Sequence, residues 1–465
     1  MYKILCEFSK LIPGILALTV CISSCSENEA IQKQVADTYS NSNGKEQAHV
    51  NFIGQWKTEG KRETIVRDFV REYSFLNQEL YVNLKFPEEI GFDRYNQTST
   101  LNFIENILQQ PIPEWDVILI NDNVEGIGAH LGDENWAKTH LVDFNEYQEL
   151  TKNTIPEINL EKVKQRWGGI IPGPFLEGQY WALWTNINVT KKLGIEVKQH
   201  GMTVDDFISY IKAVDQYNRT NSVHITPFQE ASDWATAFTV AINMYISQFN
   251  SFDDLYTDQI TEQKLEAWHK TLKVLEQLST YNMIDNDWST IVWSDTKIKL
   301  LNEECLFYSN GSWMYNIWAI EDEARVMNCV PNEYPTFNKP LLYPAGYPIM
   351  WGVLKKAPNK EQAIKFLLAM NQPTMADSWV RNTKSPTGIK GNLAETSFGS
   401  DQFENFSKKI QVTYGSNTYV MHENSSLIFN QKLTNEPNYF MDVLTGKLSA
   451  DEAILRIKKS LANEI

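Results

Sequence analysis

Asp116-Val117-Ile118-Leu119-Ile120 decides the fold. The run is short, continuous and β-branched, as a strand buried on both faces of a parallel sheet must be. Upstream, Leu101 to Leu108 is helix-like, and Leu80, Val82, Leu84 and Phe86 alternate with polar residues as a strand does. Thr58 to Asn77 sets Ile65, Val66, Phe69, Val70 and Tyr73 on one helical face, after a short strand at Val50-Asn51-Phe52-Ile53. Strand, helix, strand, helix, strand predicts an α/β lobe.

Downstream, Tyr180 to Val189 is a strand region rich in aromatics. Thr203-Val204-Asp205-Asp206 resembles a capping box and opens a helix with Phe207, Ile208, Ile211 and Val214 inward. Lys264 to Leu278 is amphipathic through Leu265, Trp268, Leu272, Leu275 and Leu278. Glu304 to Tyr308 and Arg325 to Val330 read as strands. Asn359 is expected to cap a helix carrying Ala363, Phe366, Leu367 and Met370, and Ser449-Ala450-Asp451-Glu452 opens the last helix.

The amino terminus carries an address. Lys3 and Lys10 precede an apolar run from Leu11 to Ile22, and Ile22-Ser23-Ser24-Cys25 reads as a bacterial lipobox. The apolar run is shorter than the roughly 20 residues that span a bilayer, so residues 1–24 are expected to be a cleaved lipoprotein signal peptide. Cys21 is the weaker alternative, because Val20 is large for the position next to the cut. Lipidation of Cys25 would supply the two acyl chains that stable anchoring needs. Residues 26–47 are polar, and 25–47 reads as a flexible tether. Ser26-Glu27-Asn28-Glu29 lacks an Asp directly after Cys25 and resembles a surface-export signal, which leaves the membrane face open.

Cleavage leaves about 440 residues, enough for two lobes. A net charge of −16 repels phosphate backbones, so no nucleic-acid partner is expected. Of five cysteines, only Cys305 and Cys329 lie beyond the leader and anchor. In an oxidising compartment they either form a disulfide or stay as two buried thiols. Their wide spacing and the lack of nearby histidines argue against zinc, and no metal or cofactor is expected. The 14 tryptophans raise the prospect of a carbohydrate ligand modestly, since indole faces match the apolar faces of sugar rings.

No enzyme motif is present: there is no HExxH, P-loop or GxSxG. Gly126, Gly128 and Gly132 follow the Asp116–Ile120 strand, but their spacing is GxGxxxG, and Asp122 and Glu125 would face a pyrophosphate, which argues against a nucleotide. His224 and His422 read best as ordinary polar histidines. Carboxylates are plentiful, but a glycosidase pair is defined by a separation that sequence does not give. The strongest local signal is Phe307-Tyr308-Ser309-Asn310-Gly311-Ser312-Trp313, where a strand ends, glycine permits a tight turn and Ser312 can start a helix. Trp313 would there be either a binding face or packed core.

Several segments together resemble the family 1 extracellular solute-binding proteins of ABC importers, the group that includes maltose-binding protein. Phe52 to Trp56 leads into a helix from Lys61, and Trp115 to Ile120 follows as a strand. Gly178-Gln179-Tyr180-Trp181-Ala182-Leu183-Trp184-Thr185-Asn186 is similar to the family's first crossing between lobes. Leu193-Gly194-Ile195, Thr203 to Phe207, Asn310-Gly311-Ser312-Trp313, Asn359 to Leu368 and Thr445-Gly446-Lys447 to Ala453 echo further family segments, in order, over residues 48–465. The family's usual proline before the crossing strand is replaced by Trp184-Thr185, and the segments around 123–178 and 385–420 are long.

The resemblance implies a two-lobed, type II periplasmic-binding-protein clamshell. Its first lobe would comprise 48–184 and 333–371, and its second 185–332 and 372–465. It implies no enzyme activity, a monomer, a carbohydrate ligand and delivery to an ABC permease. Ligands in open α/β sheets lie beyond the carboxyl ends of strands, which nominates Trp56, Asn121, Asp122, Trp184, Glu230, Asp233, Trp234, Asn310, Trp313 and Trp351 as ligand-binding residues. Carboxylates and amides would bond sugar hydroxyls while indoles stack on the ring. The rival readings are a surface glycan-capture lipoprotein without an ABC partner, and an envelope glycoside hydrolase or lyase.

Overall fold

The computed structural model describes residues 48–93, 96–156, 158–233, 236–249, 260–337, 343–391, 418–419 and 439–462. Cys25, the leader, the tether, Trp234 and His422 lie outside them.

Two sheets organise these residues. The first runs β2 (Leu80–Lys85), β1 (Ala48–Ile53), β3 (Val117–Leu119), β9 (Trp351–Val353). β1 is parallel to β2 and β3, and β9 is antiparallel to β3 with Leu119 opposite Trp351. All three residues of β3 are buried, as its unbroken apolar run requires. The second sheet runs β10 (Thr418–Tyr419), β8 (Tyr343–Gly346), β4 (Gln179–Asn186), β6 (Cys305–Gly311), β5 (Thr226–Gln229), with β7 (Cys329–Asn332) also paired to β4.

The helices form where their caps direct. Asn96 accepts from Ser99 N at the start of helix Gln97–Gln109, and Asn123 accepts from Gly126 N at the start of helix Val124–Leu131. Thr203 and Asp206 close a reciprocal capping box on helix Val204–Thr220, and Ser449 Oγ accepts from Glu452 N before helix Ala450–Ala462. Two expectations change. Asn359 precedes helix Lys360–Met370 without capping it: its Nδ2 donates to His49 O, which orients the amide, and its Oδ1 accepts no N–H of the first turn. Arg325–Asn328 is a 3₁₀ turn rather than a strand, since the Asp322 carboxylate gathers the N–H groups of Ala324 and Arg325; the strand begins only at Cys329.

One core fills the first sheet and continues under one face of the second, through Tyr180, Ala182, Trp184, Tyr308 and Trp318. The other lies on the opposite face, built from Leu183, Phe207, Phe228, Leu272 and Phe307. β4 belongs to the second sheet from Gln179, so the chain crosses at Gly178 rather than at Trp184. Helix Pro373–Thr383 packs on helix Lys61–Leu76 of the first sheet, its Trp379 in the first core, rather than on the second lobe.

Candidate functional site

The strand ends of the first sheet meet the second along a seam. A Cβ added to Gly60 would lie 2.8 Å from Ile320 Cγ1 and 3.4 Å from Asn316 O. Asn316 Nδ2 donates to Thr383 O at 2.9 Å, and Ser385 Oγ sits 3.3 Å from Ser312 Oγ. Gly178 N donates to Pro386 O at 2.8 Å. No side chain fits at Gly178, where a Cβ would lie 2.6 Å from Pro386 O and 2.9 Å from Tyr347 Cε1.

The nominated residues divide by role. Trp56, at φ 72°, is buried with its indole edge-on to Trp351 at 5.3 Å and tilted against Trp379 at 4.9 Å. Trp351 is fully buried in that cluster, but its Nε1 has no hydrogen-bond partner. Trp184 is fully buried, donates from Nε1 to Asn310 O at 2.9 Å and meets Trp318 edge-on at 5.2 Å. The Asn310 side chain accepts from Gly311 N and donates to Tyr308 OH. These contacts make Trp184 and Asn310 parts of the packed sheet.

At the end of β3, Asn121 and Asp122 both have positive φ, 47° and 53°. Asn121 is exposed. Asp122 works as a brace: Oδ2 accepts from Arg166 Nη1 at 2.7 Å, and Oδ1 accepts from Ile349 N at 3.1 Å. Burial opposes the Arg166 charge, but the hydrogen bonds and charges of Glu125 and Asp122 outweigh it and hold its pKa above the ordinary value.

Beyond β5, Glu230 is buried and faces inward. Its carboxylate accepts from Ala231 N and Thr236 N on one oxygen and from Ala237 N on the other, at the start of helix Ala237–Ile246. Burial pushes its pKa up to about 7, against the lowering effect of those three donors. Asp233 Oδ1 accepts from Trp293 N at 2.7 Å. Trp234 lies outside the described residues.

Among the described residues, Trp313 is the nominated indole that remains half-buried. It folds over Gly311, where an added Cβ would sit 2.0 Å from its ring. It packs on the first core, and its edge meets Trp181, a half-buried indole on the second core, at 5.3 Å and 90°. Sequence reasoning passed over Trp181, Tyr347, Gln55 and Asn316. Strand parity was the available signal for the first: Tyr180, Ala182 and Trp184 share one face of β4, so Trp181 looks the other way. Gln55 Oε1 and Asn316 Oδ1 are buried and without a hydrogen-bond partner, like Trp351 Nε1.

Cys305 and Cys329 are free and buried, which corrects the disulfide alternative. They begin β6 and β7, which flank β4 on opposite sides. Two strand spacings are roughly 10 Å, beyond disulfide reach. Burial pushes the Cys329 thiol up to about 12 and Cys305 well above its ordinary value, so both are poor nucleophiles.

Surface cavities lie on both lobes. One, of about 420 Å³, includes Asp215, Arg219, His224, Tyr281 and Asp285; another, of about 550 Å³, runs between helices Lys61–Leu76 and Pro373–Thr383. Among the described residues no cluster of three His, Cys, Asp or Glu side chains is placed to hold a metal ion.

A family profile described as bacterial extracellular solute-binding protein matches residues 104–405, well over half of the chain. The chain belongs to that family. No curated protein matches it. The structure of this solute-binding protein is similar to that of the GacH receptor of Streptomyces glaucescens, solved unliganded and with acarbose (TM-score 0.64, 13% identity, covering 90% of this chain and 98% of that one). It is also similar to the apo form of RafE from Streptococcus pneumoniae (0.62, 15%, 90% and 97%) and to maltose-bound MalE3 of T. maritima (0.59, 12%, 90% and 100%). These likenesses establish the type II binding-protein fold. The family consists of binding proteins that act outside the cytoplasm, and among the described residues no helix is long and apolar enough to cross a membrane.

Proposed function

We propose that this protein binds a carbohydrate in the seam, is tethered by lipid on Cys25 and delivers its ligand to an ABC permease. The observation that carries the reading is the Trp181–Trp313 pair: two half-buried indoles meet at 5.3 Å at one end of the second sheet, where Trp181 lies opposite Gly311. Partly exposed indoles are what the apolar face of a sugar ring requires. The exposed Asn121 at the end of β3 adds a polar contact from the nominated set. Further support comes from relatives in complex with raffinose, stachyose and maltose. Ligand contact with both lobes would favour the closed form, which the permease would then recognise.

The test is a thermal-shift and calorimetric panel of maltose, maltotriose, raffinose and chitin oligosaccharides. A ligand at 100 times its Kd stabilises by about 2.7 kcal/mol. Trp313→Ala should then weaken binding about 10- to 100-fold, the worth of one stacked aromatic contact, with little loss of stability. Unchanged affinity together with a stability loss of several kcal/mol would show the turn to be structural only. Cys25→Ser should release the chain from membranes, and retention there would count against the lipid anchor.

A further inference from the structure

Arg62 is buried near the start of helix Lys61–Leu76, with only 4% of its surface exposed. One guanidinium nitrogen, Nη1, donates to Glu59 Oε2 at 2.6 Å, and Nη2 is ion-paired with Glu177. The Trp56 ring lies 4.6 Å from Cζ and the Trp379 ring 5.5 Å. A buried ion pair roughly breaks even in stability against well-packed apolar side chains, so its contribution is better sought in which conformation it selects.

Its position answers that. Glu177 immediately precedes Gly178, where the chain passes from one sheet to the other. Pro386 O accepts from both Gly178 N and Trp379 Nε1. Gly388 N donates to Phe175 O at 2.9 Å, so residues 386–388 run alongside the crossing. Arg62 thus touches the crossing through Glu177 and the flanking segment through Trp379. We infer that Arg62 is a positioning residue of the seam: through Glu177 it holds the crossing at Gly178 and sets how the two sheets face each other. The consequence for sugar affinity rests on the functional reading above; the geometric consequence does not.

The experiment places spin labels at Ile112→Cys and Val223→Cys, exposed at 72% and 64% and carried by different lobes. The native Cys305 and Cys329 are 0% and 1% exposed and stay unlabelled. Without sugar, Glu177→Gln and Arg62→Met should shift the distance distribution or broaden it about twofold, and Arg62→Lys should restore part of the native distribution. Native distributions in both disruptive variants would overturn the inference. If Arg62→Met fails to fold, the isosteric Glu177→Gln decides alone. In a second arm, for whichever of raffinose or maltotriose binds the wild type, Glu177→Gln should weaken binding at least tenfold while the urea midpoint moves little. Unchanged affinity would also overturn the positioning role. Failure of the wild type to bind either sugar would count against the carbohydrate reading alone, and the distance arm would still decide the inference.

Discussion

Replacing Glu230 by Gln tests the buried carboxyl at the end of β5. Burial lifts its pKa from 4.5 to about 7 in the folded chain. Below pH 4.5 both folded and unfolded chains hold the proton. As pH rises from 4.5 to 7, the unfolded chain releases it while the folded chain keeps it, so stability falls. The slope approaches 1.4 kcal/mol per pH unit, and the total is about 3 kcal/mol. Glutamine has nothing to titrate and removes this dependence. It adds a fixed cost, because its NH₂ must face either Ala237 N–H or the pair from Ala231 and Thr236; a donor set against a buried donor costs about 1–3 kcal/mol. Urea unfolding of both chains at pH 5, 6, 7 and 8 gives the difference curve. Its expected form is a wild-type advantage that shrinks as pH rises. An advantage that instead grows with pH would mean that the three backbone donors outweigh burial and that Glu230 is a permanent anion capping the helix.

Trp184→Phe should destabilise by about 2–3 kcal/mol, through lost volume and an orphaned Asn310 carbonyl, and leave ligand affinity within twofold; urea melts and calorimetry measure the two. Gly178→Ala should cost about 1–3 kcal/mol in urea melts by overpacking, because backbone atoms of Pro386 lie where the new methyl must go. Cys305 and Cys329 should both react with Ellman's reagent in denaturant without reductant and stay inert in the folded chain expressed from Ser26, which lacks the other three cysteines; a thermal midpoint that drops on adding dithiothreitol would contradict the strand geometry.

The fold was legible wherever local chemistry and burial agree. The unbroken Asp116–Ile120 run became a fully buried strand, and Thr203 with Asp206 formed the capping box their spacing predicts. Asn359 does not cap because its NH₂ is tied to the carbonyl of His49, distant in sequence, and that contact orients the amide. Arg325–Val330 misled because its apolar content is that of a strand, while Asp322, just outside the window, closes a turn. The site was harder. Carboxylates such as Asp122 and Glu230 sit at strand ends, where ligands collect, but loops there also expose N–H groups that need acceptors. Sequence does not show which demand a carboxylate meets; here Ile349 N, Thr236 N and Ala237 N claim them.

Tryptophan has the same ambiguity, and parity resolves part of it. Trp181 and Trp184 are three apart on one strand, so they face opposite sides of the sheet; Trp184 is sealed beneath it while Trp181 reaches Trp313. The buried indoles still bear on the seam. Of the seven non-glycine residues with positive φ among the described residues, Trp56, Thr58, Asn121 and Asp122 all follow β1 or β3. Each such residue costs of order 1 kcal/mol and persists only where its surroundings over-determine it. Asp122 is held by Arg166 and Ile349, and Trp56 is wedged between Arg62, Trp351 and Trp379. The packed indoles and braced carboxylates therefore hold the strained strand ends in place, while Trp181 and Trp313 stay half-buried.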